Sequence, residues 1–231
     1  MLREDPFVTG EYYHLYNRGV DKRIIFKLKN DYERFIMLLY ITNSNSEKPL
    51  RLDNLINHSH KNFDDIMILD KEKSLVSIGA WCLMSNHFHL IVRQEIDGGI
   101  TKFMKKLGTS YSMFFNIKYQ RTGALFGGLF KSKLINSDDN YMRKLFAYIH
   151  LNPLDIKFSG WENEIKNSSN LSDMKKFLES YPYSSFIDYM KGDRVEKNII
   201  KLENFPEYFN DAKSFKDFIE DYLITSEEED L

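Results

Sequence analysis

Cys82-Leu83-Met84-Ser85-Asn86-His87-Phe88-His89-Leu90-Ile91-Val92-Arg93 is the stretch on which the fold turns. Two apolar runs, 75–83 and 87–93, flank Met84-Ser85-Asn86, which suits a tight antiparallel link, so the reading is a pair of strands at the centre of a sheet. Side chains alternate along a strand. His87 and His89 therefore project together from one face, while Phe88, Leu90 and Val92 project from the other into a core.

Outward from this pair, Glu-Tyr-Tyr-His-Leu-Tyr-Asn at 11–17 predicts a first strand ended by Arg18-Gly19. Phe35, Leu38 and Leu39 stand at helical spacing in 31–42, with Asp31 as N-cap. The polar stretch 43–74 is a connection with room for a small hairpin. Phe103, Met104, Leu107, Tyr111, Phe114 and Phe115 predict the longest helix, over 100–119, with Gly108 a weak breaker. After the glycines of 123–128 comes a strand at 129–136, and then a helix capped by Ser137-Asp138 that runs to about Leu151, where Asn152-Pro153 stops it. The order strand, helix, strand, strand, helix, strand, helix predicts an α+β fold, a ferredoxin-like split βαβ around a central antiparallel sheet. Beyond Phe158 the pattern changes to a helical extension, in which the Tyr181-Pro182-Tyr183-Ser184-Ser185 turn and an amphipathic helix at 215–223 pack onto the main unit. The division expected is 1–158 for the main domain and 159–231 for the extension.

A formal net charge of -2 argues against a nucleic-acid partner only while it is summed over the whole chain. From Thr101 to Ser137 there is no Asp or Glu, and Lys102, Lys105, Lys106, Lys118, Arg121, Lys131 and Lys133 are all cationic, whereas the chain closes on Glu227-Glu228-Glu229-Asp230. Such segregation leaves a basic face able to hold phosphates. No apolar run reaches the length of a membrane span, and 1–6 lacks the apolar core of a signal peptide, so the expectation is a cytoplasmic protein without a membrane partner. Cys82 is the single cysteine, which excludes an internal disulfide or a multi-cysteine zinc site. A metal here would rest on His, carboxylate or amide ligands.

His87 and His89 are the candidate ligands, because two neutral ring nitrogens on one rigid strand can take adjacent positions on a divalent ion, with Mn²⁺ tolerating imidazole better than Mg²⁺ does. His58-Ser59-His60 has the same spacing but no apolar residue between its imidazoles, and is read as solvated loop. On the last helix Tyr148 and Asn152, four apart, share a face, and His150 points the other way. By spacing alone Asn152 is equally a helix C-cap, and Tyr141, seven residues before Tyr148, competes with it for the same face. His14 is read as structural.

The motifs Tyr16-Asn17-Arg18-Gly19, Cys82 to Leu90, Arg121-Thr122-Gly123, Phe130-Lys131-Ser132 and Tyr148-Ile149-His150-Leu151-Asn152-Pro153 together resemble the REP-associated tyrosine transposases, relatives of the insertion-sequence transposases of the HUH class, over about residues 10–155. Ser85 departs from the family, which more often has Pro there. The resemblance implies His87, His89 and Asn152 as ligands of Mg or Mn, and Tyr148 as nucleophile. It implies a metal-dependent single-stranded DNA endonuclease and transesterase, which cleaves and rejoins DNA near hairpins through a 5′-phosphotyrosine and needs no small-molecule cofactor. Arg18, Lys102, Lys105, Lys106, Arg121, Lys131 and Lys133 are the expected DNA contacts. Single-tyrosine transposases often act as dimers and the REP-associated branch as monomers, so either state is compatible. The competing readings are a water-using nuclease and a non-catalytic hairpin-binding protein.

Overall fold

The computed structural model describes residues 6–48, 50–71, 73–135, 139–161, 168–190, 192–208 and 211–225. Its four strands are β1 (Tyr12–Arg18), β2 (Val76–Met84), β3 (His87–Gln94) and β4 (Lys131–Ile135), paired in the order β2-β3-β1-β4 with every pairing antiparallel. The first layer of helices contains α1 (Lys29–Ile41), the short α2 (Leu52–Asn57) and α3 (Phe63–Met67), and the long α4 (Gly99–Lys118). The second contains α5 (Asp139–Leu151), the single turn α6 (Leu154–Lys157), α7 (Ser168–Ser180), the short α8 (Phe186–Tyr189) and α9 (Ala212–Thr225). The α+β class and the antiparallel sheet are as the sequence predicts. No helix among the described residues is long and apolar enough to cross a membrane.

Alternation divides the sheet between two cores. Leu15, Phe88, Leu90 and Val92 point under α1 and α4, where Phe35, Leu39, Phe103, Leu107 and Tyr111 meet them in one buried cluster. Ala80, Cys82, Met84 and Ile91 point the other way, against Leu145, Phe146 and Ile149 of α5 and against Met174, Leu178 and Phe215 of the C-terminal helices. His87 and His89 lie on this second face, at its end.

Several local expectations are corrected. β1 and β3 hold the centre, and β2 is an edge strand whose outer side is covered by the C-terminal segment: Leu83 N–H donates to the Tyr183 carbonyl at 2.9 Å, Ser185 N–H to Trp81 at 2.9 Å and Lys201 N–H to Ile78 at 2.9 Å. That cover spares an apolar strand from exposing its unpaired edge. The β2 ladder is bulged between Ile78 and Ala80, and a Cβ on the intervening Gly79 would stand 2.6 Å from the Phe205 ring, so only glycine admits the packing. Asp31 lies inside α1 at its third position and reaches back to the N-cap backbone, rather than being the cap itself. The 43–74 connection forms α2 and α3 instead of a hairpin. The Ser137-Asp138 cap falls outside the described residues.

Candidate active site

Strand pairing assembles the site. Arg18 lies opposite His87, Tyr16 opposite His89 and His14 opposite Ile91, while on the other side of β1 Tyr16 faces Lys131 and His14 faces Lys133. Directly opposed residues share a face. One end of the sheet therefore presents His14, Tyr16, Arg18, His87, His89, Lys131 and Lys133 on the side that α5 covers. A cleft of about 430 Å³ opens there, lined by Tyr16, Asn17, Arg18, Gly19, His87, His89, Gly127, Leu129, Lys131 and Tyr148. Gly19 closes its floor: its N–H donates to the Asn86 carbonyl at 2.8 Å, and a Cβ at this position would stand 2.2 Å from the Arg23 carbonyl oxygen.

Hydrogen bonds define which ring nitrogens are free. Asn86 Nδ2 donates to the Lys22 carbonyl at 3.2 Å, so its Oδ1 is the atom that meets His87 Nδ1 at 2.6 Å. An amide oxygen only accepts, so His87 carries its proton on Nδ1 and keeps the Nε2 lone pair. His89 Nδ1 lies 2.9 Å from His14 Nε2, which leaves His89 Nε2 on the open side. Asn152 Nδ2 donates to the Tyr148 carbonyl at 2.9 Å, which leaves its Oδ1 as the acceptor branch of the amide. Among the described residues no group of three or more His, Cys, Asp or Glu stands where it could hold a metal. A centre built on the two histidines would need a further donor, and Asn152, an amide beside Tyr148, is of a chemistry that would fit with two imidazoles around an ion of borderline hardness.

Burial keeps these imidazoles neutral. His87 is lowered to about 4 by desolvation and the nearby Arg18, with Asn152 opposing. His14 is lowered to about 4 by desolvation and Lys133. Burial holds His89 well below the ordinary histidine value, aided by its histidine neighbours and Arg18. Desolvation raises the Tyr148 phenol; the Asn152 bond pulls it back, the charge of Asp155 pushes it up, and Arg18 pulls it down.

The Tyr148 ring meets His89 edge-on with centroids 5.5 Å apart, whereas Tyr141 lies under the Lys133 ammonium at 4.8 Å, further along the same helix. His150, on the opposite side of α5, is fully buried, with Nε2 2.8 Å from Ser185 Oγ. His58 and His60 are exposed in the loop after α2.

The expected DNA contacts separate into two groups. Arg18 and Lys131 line the cleft and Lys133 borders it. Lys102, Lys105 and Lys106 lie on α4, across the sheet: Lys102 Nζ donates to Asn45 Oδ1 at 2.8 Å and Lys106 Nζ to the Ser44 carbonyl at 2.8 Å. Arg121 donates to Asn116 Oδ1 at 3.0 Å, and none of these four lines the cleft. Sequence reasoning passed over Asn86, Tyr16 as a side chain stacked on His89 at 5.7 Å, and Leu129 on the cleft wall. The period-two alternation of β1, which places His14, Tyr16 and Arg18 on one face, was the available signal.

A sheet-borne His-x-His pair faced by a tyrosine and an asparagine of one helix is the arrangement this fold defines. Residues 50–152 match the family described as "Transposase IS200 like", and the matched segment contains His87, His89, Tyr148 and Asn152. No curated protein matches the chain. A solved structure described as "Structure of the REP associates tyrosine transposase bound to a REP hairpin" shares 12% identity, covers 85% of this chain and 90% of its own, and has a TM-score of 0.46.

Proposed function

We propose that the protein cleaves and rejoins single-stranded DNA beside a hairpin by transesterification through Tyr148, with a divalent cation held by His87, His89 and Asn152. The observation that carries this reading is the convergence of His87, His89 and the Tyr148 ring in one cleft lined also by Arg18 and Lys131, with Asn152 one helical turn beyond Tyr148 and bonded to its carbonyl. When bound, Mg²⁺ or Mn²⁺ would neutralise charge on a non-bridging phosphate oxygen.

The chain's own residues do the rest. Arg18 and Lys131 draw the phosphate backbone into the cleft, and the Tyr16 ring offers a face on which an unpaired base can stack. The position of Tyr148 on a packed helix holds its Oη for in-line attack. Oη bonds to phosphorus as the bond to the 3′ oxygen breaks; the phenolic proton passes to water, and the departing 3′ oxygen takes up a proton. The product retains a phosphodiester, so a 3′ hydroxyl from the same or another strand reverses the step without an external energy source.

A 3′-labelled single-stranded oligonucleotide with an adjoining hairpin, incubated with Mn²⁺ and resolved on a denaturing gel, should yield a covalent protein–DNA adduct. Tyr148→Phe should abolish it and Tyr141→Phe should retain it. Cleavage without an adduct would make the enzyme a water-using nuclease, and binding without cleavage under either metal would make it a hairpin-binding protein.

A further inference from the structure

A buried imidazole in the middle of a central strand is costly unless its polar atoms are paired. His14 is such a residue, and the partner of its Nε2 is Nδ1 of His89 at 2.9 Å, with both residues more than nine-tenths buried. The two are diagonal neighbours across the β1–β3 pair, since His14 is opposite Ile91 and Tyr16 opposite His89. Their rings lie 5.1 Å apart at 22°, and the His14 ring also contacts Tyr16 at 4.9 Å and Tyr148 at 6.4 Å. It is held from several sides.

One proton lies between the two facing nitrogens. If His14 donates it, His89 carries its own proton on Nε2 and has no lone pair to offer the cleft. If His89 donates it, His89 Nε2 is free, and His14 carries its proton on Nδ1. Only the second arrangement is compatible with a cation at His89. We propose that His14 is the positioning residue of the centre, accepting the His89 Nδ1–H bond and so holding His89 in the ligating tautomer and orientation. Asn86 performs the same service for His87, with the difference that an amide oxygen permits only one direction of donation, whereas His14 permits two. The inference rests on the metal-centre reading above. Partners of this kind orient metal-bound histidines generally, and their loss weakens metal affinity by about 10- to 100-fold.

The test uses the full chain and Mn²⁺ alone, with the free ion followed by its EPR signal. His14→Phe, which keeps the ring but removes the acceptor, should weaken Mn²⁺ binding about 10- to 100-fold, and His14→Gln, whose amide oxygen can accept, should stay within about threefold of wild type. His89→Ala separates the two readings: if it leaves Mn²⁺ affinity unchanged, the metal-centre reading fails. If His89→Ala abolishes binding while a folded His14→Phe binds as wild type, only the positioning role is overturned. Imidazole ¹⁵N spectra of the wild-type chain with Zn²⁺ decide the matter even if His14→Phe does not fold. His89 protonated at Nδ1 and liganded through Nε2 is the expected state; a proton retained on Nε2 refutes it.

Discussion

Two histidines near Tyr148, His89 across the cleft and His150 two residues along its own helix, show how much a single side chain's surroundings decide. His89 meets the Tyr148 ring at the cleft, whereas His150, on the same helix as Tyr148, is sealed against Ser185, Tyr189 and Phe215. Burial lowers His150 to about 3. Because its folded value is depressed below the ordinary 6.5, the stability it contributes is fully present above that pH and is lost as pH falls from 6.5 toward 3. His150→Gln should therefore make unfolding less steeply pH-dependent by one proton, narrowing the wild-type loss between pH 6.5 and 5 by about 2 kcal/mol. Urea titrations at the two pH values read this directly, and an unchanged slope would mean that His150 is charged in the folded protein. The cleft position of His87 and His89 was legible in the sequence because an apolar residue separates them on a strand, and His58-Ser59-His60, lacking that residue, is indeed exposed. His14 was not legible, because its importance arises from a cross-strand diagonal that only the register supplies.

At the scale of elements, the first helical layer is tied together by one buried carboxylate. Asp31 of α1 accepts from the Lys27 and Leu28 backbone N–H groups at 2.8 and 2.9 Å, from Lys118 Nζ at 2.6 Å and from the Tyr119 hydroxyl at 2.7 Å, so the end of α4 is clamped onto the start of α1. Burial pushes this carboxyl upward, but the Lys118, Tyr119 and backbone bonds outweigh it and hold the group below the usual aspartate value. Asp31→Ala leaves the Lys118 ammonium and the phenol without their acceptor and should cost about 3–5 kcal/mol at neutral pH by chemical denaturation. With a depressed folded value, the wild-type advantage is present above about pH 4 and lost as pH falls below it, so the gap between variant and wild type should close in acid. An equal gap at pH 7 and pH 3 would show the carboxylate to be unpaired. Helix and strand periodicity predicted α1, α4 and all four strands, because amphipathic spacing is a local property. It could not show that Lys102 and Lys106 bind the 44–45 backbone and side chains across the sheet from the cleft, since charge counted along the chain carries no information about which layer a helix joins.

For the molecule as a whole, the question is whether 159–231 is an appendage or part of the fold. The second core contains Ala80, Cys82, Ile91, Leu145 and Phe146 together with Met174, Leu178, Phe186, Tyr189 and Phe215, so neither set is buried without the other. Polar contacts reinforce the seam: the Tyr181 hydroxyl donates to the Leu83 carbonyl at 2.6 Å and the Tyr189 hydroxyl to Gly79 at 2.7 Å, at the bulge where Phe205 packs. We infer that the C-terminal stretch is a structural half of the sheet's second layer, and that it fixes the α5 face on which Tyr148 and Asn152 stand. Removing it would expose the edge of β2 and the apolar faces of β2 and α5. A chain ending at residue 158 should accordingly lack cooperative thermal unfolding and sediment as aggregates. Phe215→Ala, which removes one fully buried ring from the extension, should cost the complete chain about 3–5 kcal/mol. Lowered metal affinity in Phe215→Ala at a temperature where it remains folded would show that the loss reaches the cleft. A monomeric, cooperatively folding 1–158 fragment with native Mn²⁺ affinity would instead establish the two stretches as separable, with the site complete in the first.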